Sequence, residues 1–154
     1  MQFQNTIAYA QYHAEGGEFT IASGQDYSKF PFEMKVVNEI EKNVFRINEV
    51  EWIIGVRQTG IYYVDFSFIA EQGDAKRYTI APYIGTTKIG TTTAVEFYQQ
   101  PDNMAYEVSA TWLIGLDRGD KLSIELSGSA VPTETFYTKD IKMSIFCLQQ
   151  LGIH

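Results

Sequence analysis

Cys147 is the only cysteine among 154 residues, so neither a disulfide framework nor a multi-cysteine zinc pattern can hold this chain together. Stability has to come from packing. Basic residues are also in the minority: 12 Lys and Arg stand against 19 Asp and Glu, a formal net charge of -7 at pH 7. Affinity for nucleic acid rests largely on Lys and Arg neutralising phosphates, and anionic membranes select for the same charge, so neither is expected as a partner. No apolar run approaches the roughly 18 residues that suggest a membrane span, so no membrane insertion is expected. The first residues, MQFQNTIAYAQYH, lack a basic segment followed by an apolar stretch and a small-residue cleavage site, and no secretory signal is read in this chain. A Pro/Gly/Ser-rich linker, a block of like charges and an internal repeat are missing as well. Residues 1–154 therefore read as a single domain.

What the sequence does have is a strong apolar pattern: 45% of the residues are hydrophobic and 14% aromatic, enough to fill a core. The pattern has period two. Tyr62, Val64, Phe66, Phe68 and Ala70 fall on alternate positions, with Tyr63, Asp65 and Ser67 on the other face, which predicts a long strand over Gly60 to Glu71. Gln72, Gly73 and Asp74 supply turn chemistry, and Arg77 to Ile84 is expected as the returning strand of a hairpin. The alternation recurs from Met104 to Leu116, where Tyr106, Val108, Ala110, Trp112, Ile114 and Leu116 share one face. Asp117 to Asp120 then makes a turn, because Gly119 takes positive φ without cost and Asp side chains bond nearby amides. Leu122, Ile124 and Leu126 continue as the next strand. Further strands are expected at Ile7 to Tyr12, Phe19 to Ala22, Val44 to Ile47, Glu51 to Val56, Val95 to Gln99 and Ile141 to Leu148. Many short strands separated by turns predict an all-β sandwich or barrel.

Two segments add detail. In PFEMKVVNEIEKN, Met34, Val37 and Ile40 fall at helical spacing, so a short helix competes there with the strand reading. In the last strand Ile141, Met143, Ile145 and Cys147 share one face while Phe146 and Leu148 make the other apolar too. A strand apolar on both sides needs two covers. One is the sandwich interior; the second is a partner subunit or the amino-terminal arm, the partner being the more economical source.

Three segments, in order, resemble the superfamily of tumour necrosis factor and the globular head of complement component one, subcomponent q. Thr59-Gly60-Ile61-Tyr62-Tyr63-Val64-Asp65-Phe66 is similar to that family's glycine, aliphatic, Tyr-Tyr lead into a central strand. Leu113-Ile114-Gly115-Leu116-Asp117-Arg118-Gly119-Asp120-Lys121-Leu122 resembles its leucine-rich strand ending in a Gly-Asp turn, and Ile141-Lys142-Met143-Ser144-Ile145-Phe146-Cys147-Leu148 its closing strand. The resemblance runs from Pro31 to Leu151; residues 1–30, an amino-terminal strand and arm, match it least. It implies a ten-stranded antiparallel jelly-roll sandwich that assembles as a homotrimer, with Tyr63, Asp65, Ser67, Phe146 and Leu148 toward the trimer interface. A collagen-like stalk and an N-x-S/T sequon are both missing, which points to a bacterial or phage relative and to a virion, bacterial or spore surface.

Catalytic constellations are sparse. There is no G-x-S-x-G elbow, Cys147 lies in an apolar strand context suited to a small core or interface residue, and Glu39 with Glu41 reads as a solvated face. No enzymatic activity is expected. His13 and His154 lie near opposite ends without a second ligand at metal spacing, which excludes a zinc motif. Asp74, Asp102, Asp117 and Asp120 are turn carboxylates of the kind that can hold calcium, but no loop has D-x-D-x-D density, so no cofactor is expected. Arg118-Gly119-Asp120 spells the integrin-recognition tripeptide, yet it falls where a connecting turn needs its glycine and its capping carboxylate. With ten Tyr and ten Phe the chain carries aromatic side chains beyond core needs, and Tyr83, Tyr98 and Tyr137 fall near strand ends, where they could stack on a sugar or a partner. The expected function is a structural or decorating module; the alternative is a receptor-binding head for a cell-surface carbohydrate or protein, whose threefold repetition would add avidity.

Overall fold

The computed structural model describes residues 8–21, 28–29, 35–40, 44–48, 53–73, 77–85, 87–89, 95–98, 105–127 and 134–150. Among these residues there is no helix. Twelve strand segments follow one another: β1 (Tyr9–Ile21), β2 (Ser28–Lys29), β3 (Lys35–Ile40), β4 (Phe45–Asn48), β5 (Ile53–Val56), β6 (Gly60–Gly73), β7 (Arg77–Ile84), β8 (Thr87–Lys88), β9 (Val95–Tyr98), β10 (Tyr106–Leu116), β11 (Lys121–Ser127) and β12 (Glu134–Gln150). Two of them, β2 and β8, are only two residues long.

The strands form two antiparallel sheets. The first has the order β10-β6-β12-β1-β3; the second runs β4-β5-β11-β7-β8, with β2 also on β11 and β9 also on β7. The expected period-two faces are the buried ones. Tyr62, Val64, Phe66, Phe68 and Ala70 of β6, Val108, Ala110, Trp112, Ile114 and Leu116 of β10, and Ile141, Met143, Ile145 and Cys147 of β12 meet Phe45, Ile54, Val56, Ile80, Leu122, Ile124 and Leu126 of the second sheet in one core. Each fully buried Leu, Ile, Val or Phe contributes roughly 1.5–3 kcal/mol. That is the packing on which a chain without disulfides depends.

Three expectations need correction. Arg77 to Ile84 is a strand, but not the return of a hairpin: β6 pairs with β10 and β12, whereas β7 pairs with β11, β8 and β9 in the opposite sheet. Turn residues announce a change of direction without specifying which sheet the chain enters next. Lys35–Ile40 is a strand rather than part of a helix, because β1 offers it a ladder from Tyr9↔Ile40 to His13↔Lys35. Ile7 to Tyr12 and Phe19 to Ala22 are joined, over the described residues, in one strand, β1. Between them β1 stays on β12 through Gly16-Gly17, with Gly16↔Lys139 and Gly17↔Thr138 in register. Gly16 takes φ +92°, and a Cβ there would meet the Thr138 carbonyl oxygen at 2.4 Å. Only glycine lets the two backbones approach so closely.

Beyond the predicted faces, β11 buries Ser123 and Glu125 as well as Leu122, Ile124 and Leu126. Glu125 is 1% exposed and stands in register between Ala81 of β7 and Lys29 of β2. A carboxylate at such a depth is tolerated only with compensating polar partners.

Candidate functional site

Because successive residues of a strand point to opposite faces, the outer face of the first sheet is written by the residues out of phase with its core: Tyr9, Gln11 and His13 on β1; Tyr63, Asp65 and Ser67 on β6; Ser109, Thr111 and Leu113 on β10; Lys142, Ser144, Phe146 and Leu148 on β12. Cross-strand register sorts them into rows. Leu113 pairs with Tyr63, Tyr63 with Phe146, and Phe146 with Tyr9, so one apolar row crosses four strands. Its rings touch: the Phe146 centroid lies 4.6 Å from that of Tyr9 and 5.9 Å from that of Tyr63, the second pair edge to face. Both are favourable aromatic geometries. Leu113 at one end of the row is 64% exposed, and Leu148, two residues beyond Phe146 on β12, is 54% exposed.

The next row is polar: Thr111, Asp65, Ser144 and Gln11, with the Thr111 hydroxyl 3.5 Å from the Asp65 carboxylate as donor. The third is Ser109, Ser67, Lys142 and His13, flanked by Asp140, whose carboxylate lies 3.7 Å from His13 Nε2. The face is thus graded from an aromatic end to a hydrophilic one.

All five residues expected at a subunit interface, Tyr63, Asp65, Ser67, Phe146 and Leu148, lie on this face of two neighbouring strands. Of the alternative cover for Phe146, the amino-terminal arm, the described part lies edgewise. β1 lies beside β12 in the same sheet, Tyr9 flanks Phe146, and Leu148 stays exposed. Sequence reasoning missed two members of the row, Leu113 and Tyr9. For Leu113 the signal was there: a leucine in phase with Glu107, Ser109 and Thr111 breaks a polar face just as Phe146 does.

Tyr83 and Tyr98 stand at opposite ends of β7, and Tyr137 belongs to β12 in the other sheet. Tyr83 lies half-buried opposite Ser123, and Tyr98 stands on β9 in backbone register with Arg77. Six residues separate the first two positions along β7, roughly 20 Å. Asp74, Asp102 and His154 lie outside the described residues.

The Asp117–Asp120 turn is a corner between the sheets, since β10 belongs to the first and β11 to the second. The Asp120 amide donates to the Asp117 carbonyl at 2.9 Å, and the Asp117 amide donates to the Asp120 carboxylate at 2.8 Å. Gly119, at φ +96°, donates to the Val56 carbonyl at 2.8 Å, and the Arg118 amide donates to the Thr59 hydroxyl at 2.9 Å. The carboxylate an adhesion tripeptide would offer outward is folded back on its own turn. Tyr62 donates its phenol to the Gln58 carbonyl, and burial, followed by the neighbouring Cys147, raises its pKa above the ordinary value. It is held as a neutral phenol, the opposite of an activated group. Among the described residues no group of three His, Cys, Asp or Glu is placed to hold a metal ion.

Comparison with known proteins fixes the architecture. No protein-family model and no curated protein matches this sequence. Solved structures do: murine APRIL superposes with TM-score 0.62 at 10% identity, over 91% of this chain and 99% of that one. The globular domain of the zebrafish complement 1qA protein gives 0.61 at 12% identity, over 94% and 99%. The fold is a tumour necrosis factor-like jelly roll. PRD1 vertex protein P5 has the same similarity, TM-score 0.61 at 14% identity over 91% of this chain and 96% of that one. The segments that carry the sequence resemblance lie together in this TNF-like fold, for β10, β6 and β12 are adjacent strands of the first sheet.

Proposed function

We propose that this TNF-like jelly roll is a non-enzymatic, homotrimeric module of a bacterial or phage surface assembly, with a structural or decorating role. The aromatic row Leu113, Tyr63, Phe146 and Tyr9, with Leu148 beside it, carries the reading: an apolar stripe across a solvent-facing sheet is an association surface. Around a threefold axis the stripe of one subunit meets those of two others, so the interface closes instead of propagating. The similarity to PRD1 vertex protein P5 supports a virion-surface location. The reading requires no cofactor.

Mass in solution tests it. At micromolar concentration the protein should run at three times 17.5 kDa or a multiple of that, and Phe146→Asp should lose the threefold contact while keeping its β-sheet circular dichroism. A wild-type mass that is no multiple of three subunits refutes the trimer. A receptor-binding head is the other reading of the same fold, with Tyr83, Tyr98 and Tyr137 as separate contact points on each subunit. Binding of the assembled protein on a glycan array, lost in Tyr83→Ala, would favour it; no binding at millimolar sugar favours the structural role.

A further inference from the structure

The edges of the two sheets are guarded unequally. On the first sheet, the β3 edge is six residues long, starts on Lys35 and meets β1 with a register shift between Gln11 and Tyr12. On the second, the edge strands are the two-residue β2, which carries Lys29, the four-residue β4, which carries Arg46, the two-residue β8 and the four-residue β9. Short length, basic residues and bulges are the usual devices that keep an edge from pairing with another chain. β10 has none of them. It is eleven residues long, roughly 35 Å. It contains no Lys, Arg or Pro, and its ladder with β6 runs without a shift from Tyr106↔Ala70 to Leu116↔Gly60. On its other side β10 pairs with no strand among the described residues.

From this contrast we propose that β10 is a second assembly edge, pairing antiparallel with β10 of another copy of this chain across a twofold axis through Thr111. That register uses the whole strand. Its outer face sets Glu107 against Gly115, Ser109 against Leu113 and Thr111 against Thr111. The only charge on the strand thus faces a residue without a side chain, and the two copies of Glu107 stand eight positions apart, roughly 27 Å. Thr–Thr is a favourable cross-strand pair, and no like charges oppose each other. The inner side chains Val108, Ala110, Trp112 and Ile114 stay in their own cores, and two five-stranded sheets become one of ten, within the usual limit for a twisted sheet. The contact is isologous, so on its own it stops at a dimer.

This edge does not depend on the threefold reading, but the two together have a consequence. A twofold edge combined with a threefold face joins trimers into larger layers or shells, which is what a surface-building module requires.

Native mass spectrometry and light scattering of the wild type, Thr111→Lys, Phe146→Asp and the double variant separate the two contacts. Thr111 is exposed, so lysine there places a charge on the edge without entering the core. An even number of subunits is expected in the wild type at 100 µM. Thr111→Lys should reduce the wild-type assembly to a trimer at unchanged circular dichroism, and Phe146→Asp should leave a dimer that Thr111→Lys converts to monomer. If the threefold reading alone fails, the wild type is a dimer and Phe146→Asp has no effect, while Thr111→Lys still halves the mass. An odd number of subunits in the wild type, or an even number that Thr111→Lys leaves intact, overturns the proposal.

Discussion

Replacing Gly16 by alanine probes the narrowest point of the first sheet. Two costs act there. An L-residue at φ +92° leaves the favoured regions, roughly 1–2 kcal/mol. The added methyl would also stand 2.4 Å from the Thr138 carbonyl oxygen and 2.8 Å from the Lys139 Cα. Both are backbone atoms fixed in the β1–β12 and β6–β12 ladders, so the strands must part, at about 1–3 kcal/mol by analogy with overpacked cores. The sum, about 2–5 kcal/mol, is a large share of the roughly 5–15 kcal/mol by which a domain is stable, and at about 2–4 °C per kcal/mol it lowers Tm by around 10 °C. Gly119→Ala is the matched control. Its φ is +96°, nearly the same, but a Cβ there meets nothing within 4 Å, so it should lose only the conformational cost, about 1–2 kcal/mol. Urea and thermal unfolding of the two variants beside the wild type give the comparison. Equal losses for Gly16→Ala and Gly119→Ala would refute the close approach of β1 to β12.

Other consequences are read with the same assays. Trp112→Ala, emptying a side chain buried between the sheets, should cost about 3–5 kcal/mol, whereas Leu113→Ser, one residue along but outward, should change monomer stability by less than about 0.5 kcal/mol. Tyr62 has a raised folded-state pKa, so its contribution is fully present below pH 10 and is lost as the pH rises above that value, where the unfolded chain ionises first. Tyr62→Phe should therefore show a shallower fall of stability between pH 10 and 12, with one tyrosinate fewer appearing at 295 nm on unfolding than in the wild type. Asp120→Ala removes the acceptor of the Asp117 amide and should cost about 1 kcal/mol, while Asp120→Asn, which keeps an oxygen there, should cost less.

The faces of the strands were legible in the sequence because a sheet with one buried side enforces period two. From Tyr62 to Ala70 in β6 and from Val108 to Leu116 in β10 the predicted inner residues are the buried ones. The edges of the strands were less so. β1 continues through Gly16-Gly17 on its ladder with β12, and β12 reaches from Glu134 to Gln150, well beyond Ile141 to Leu148, because β1 and β6 sustain stretches whose own pattern has lapsed. Sheet membership was not legible at all from turns. Gln72-Gly73-Asp74 and Asp117–Asp120 look alike as reversals, and both connect strands of different sheets. The family resemblance supplied what local chemistry could not, since it is a statement about strand order.

The candidate site shows the same division from another side. Tyr63, Phe146 and Leu148 could be singled out one strand at a time, each as an apolar residue on the outward phase. That Phe146 lies between Tyr63 and Tyr9, and that Leu113 extends the row, depends on pairings between positions 50 to 137 residues apart. Those pairings follow from the closing strand β12 entering the sheet between β6 and β1. Without that insertion the aromatic residues would be scattered; with it they form one stripe. The polar rows below follow from the same register, which sets Asp65 beside Ser144 and Ser67 beside Lys142. A one-residue slip of β12 would turn Phe146 into the core and bring Cys147 and Ile145 out, so the register that seals the sandwich is also what writes the association face. Stability and assembly are thus coupled through one strand, and substitutions on its outer face are the ones that separate them.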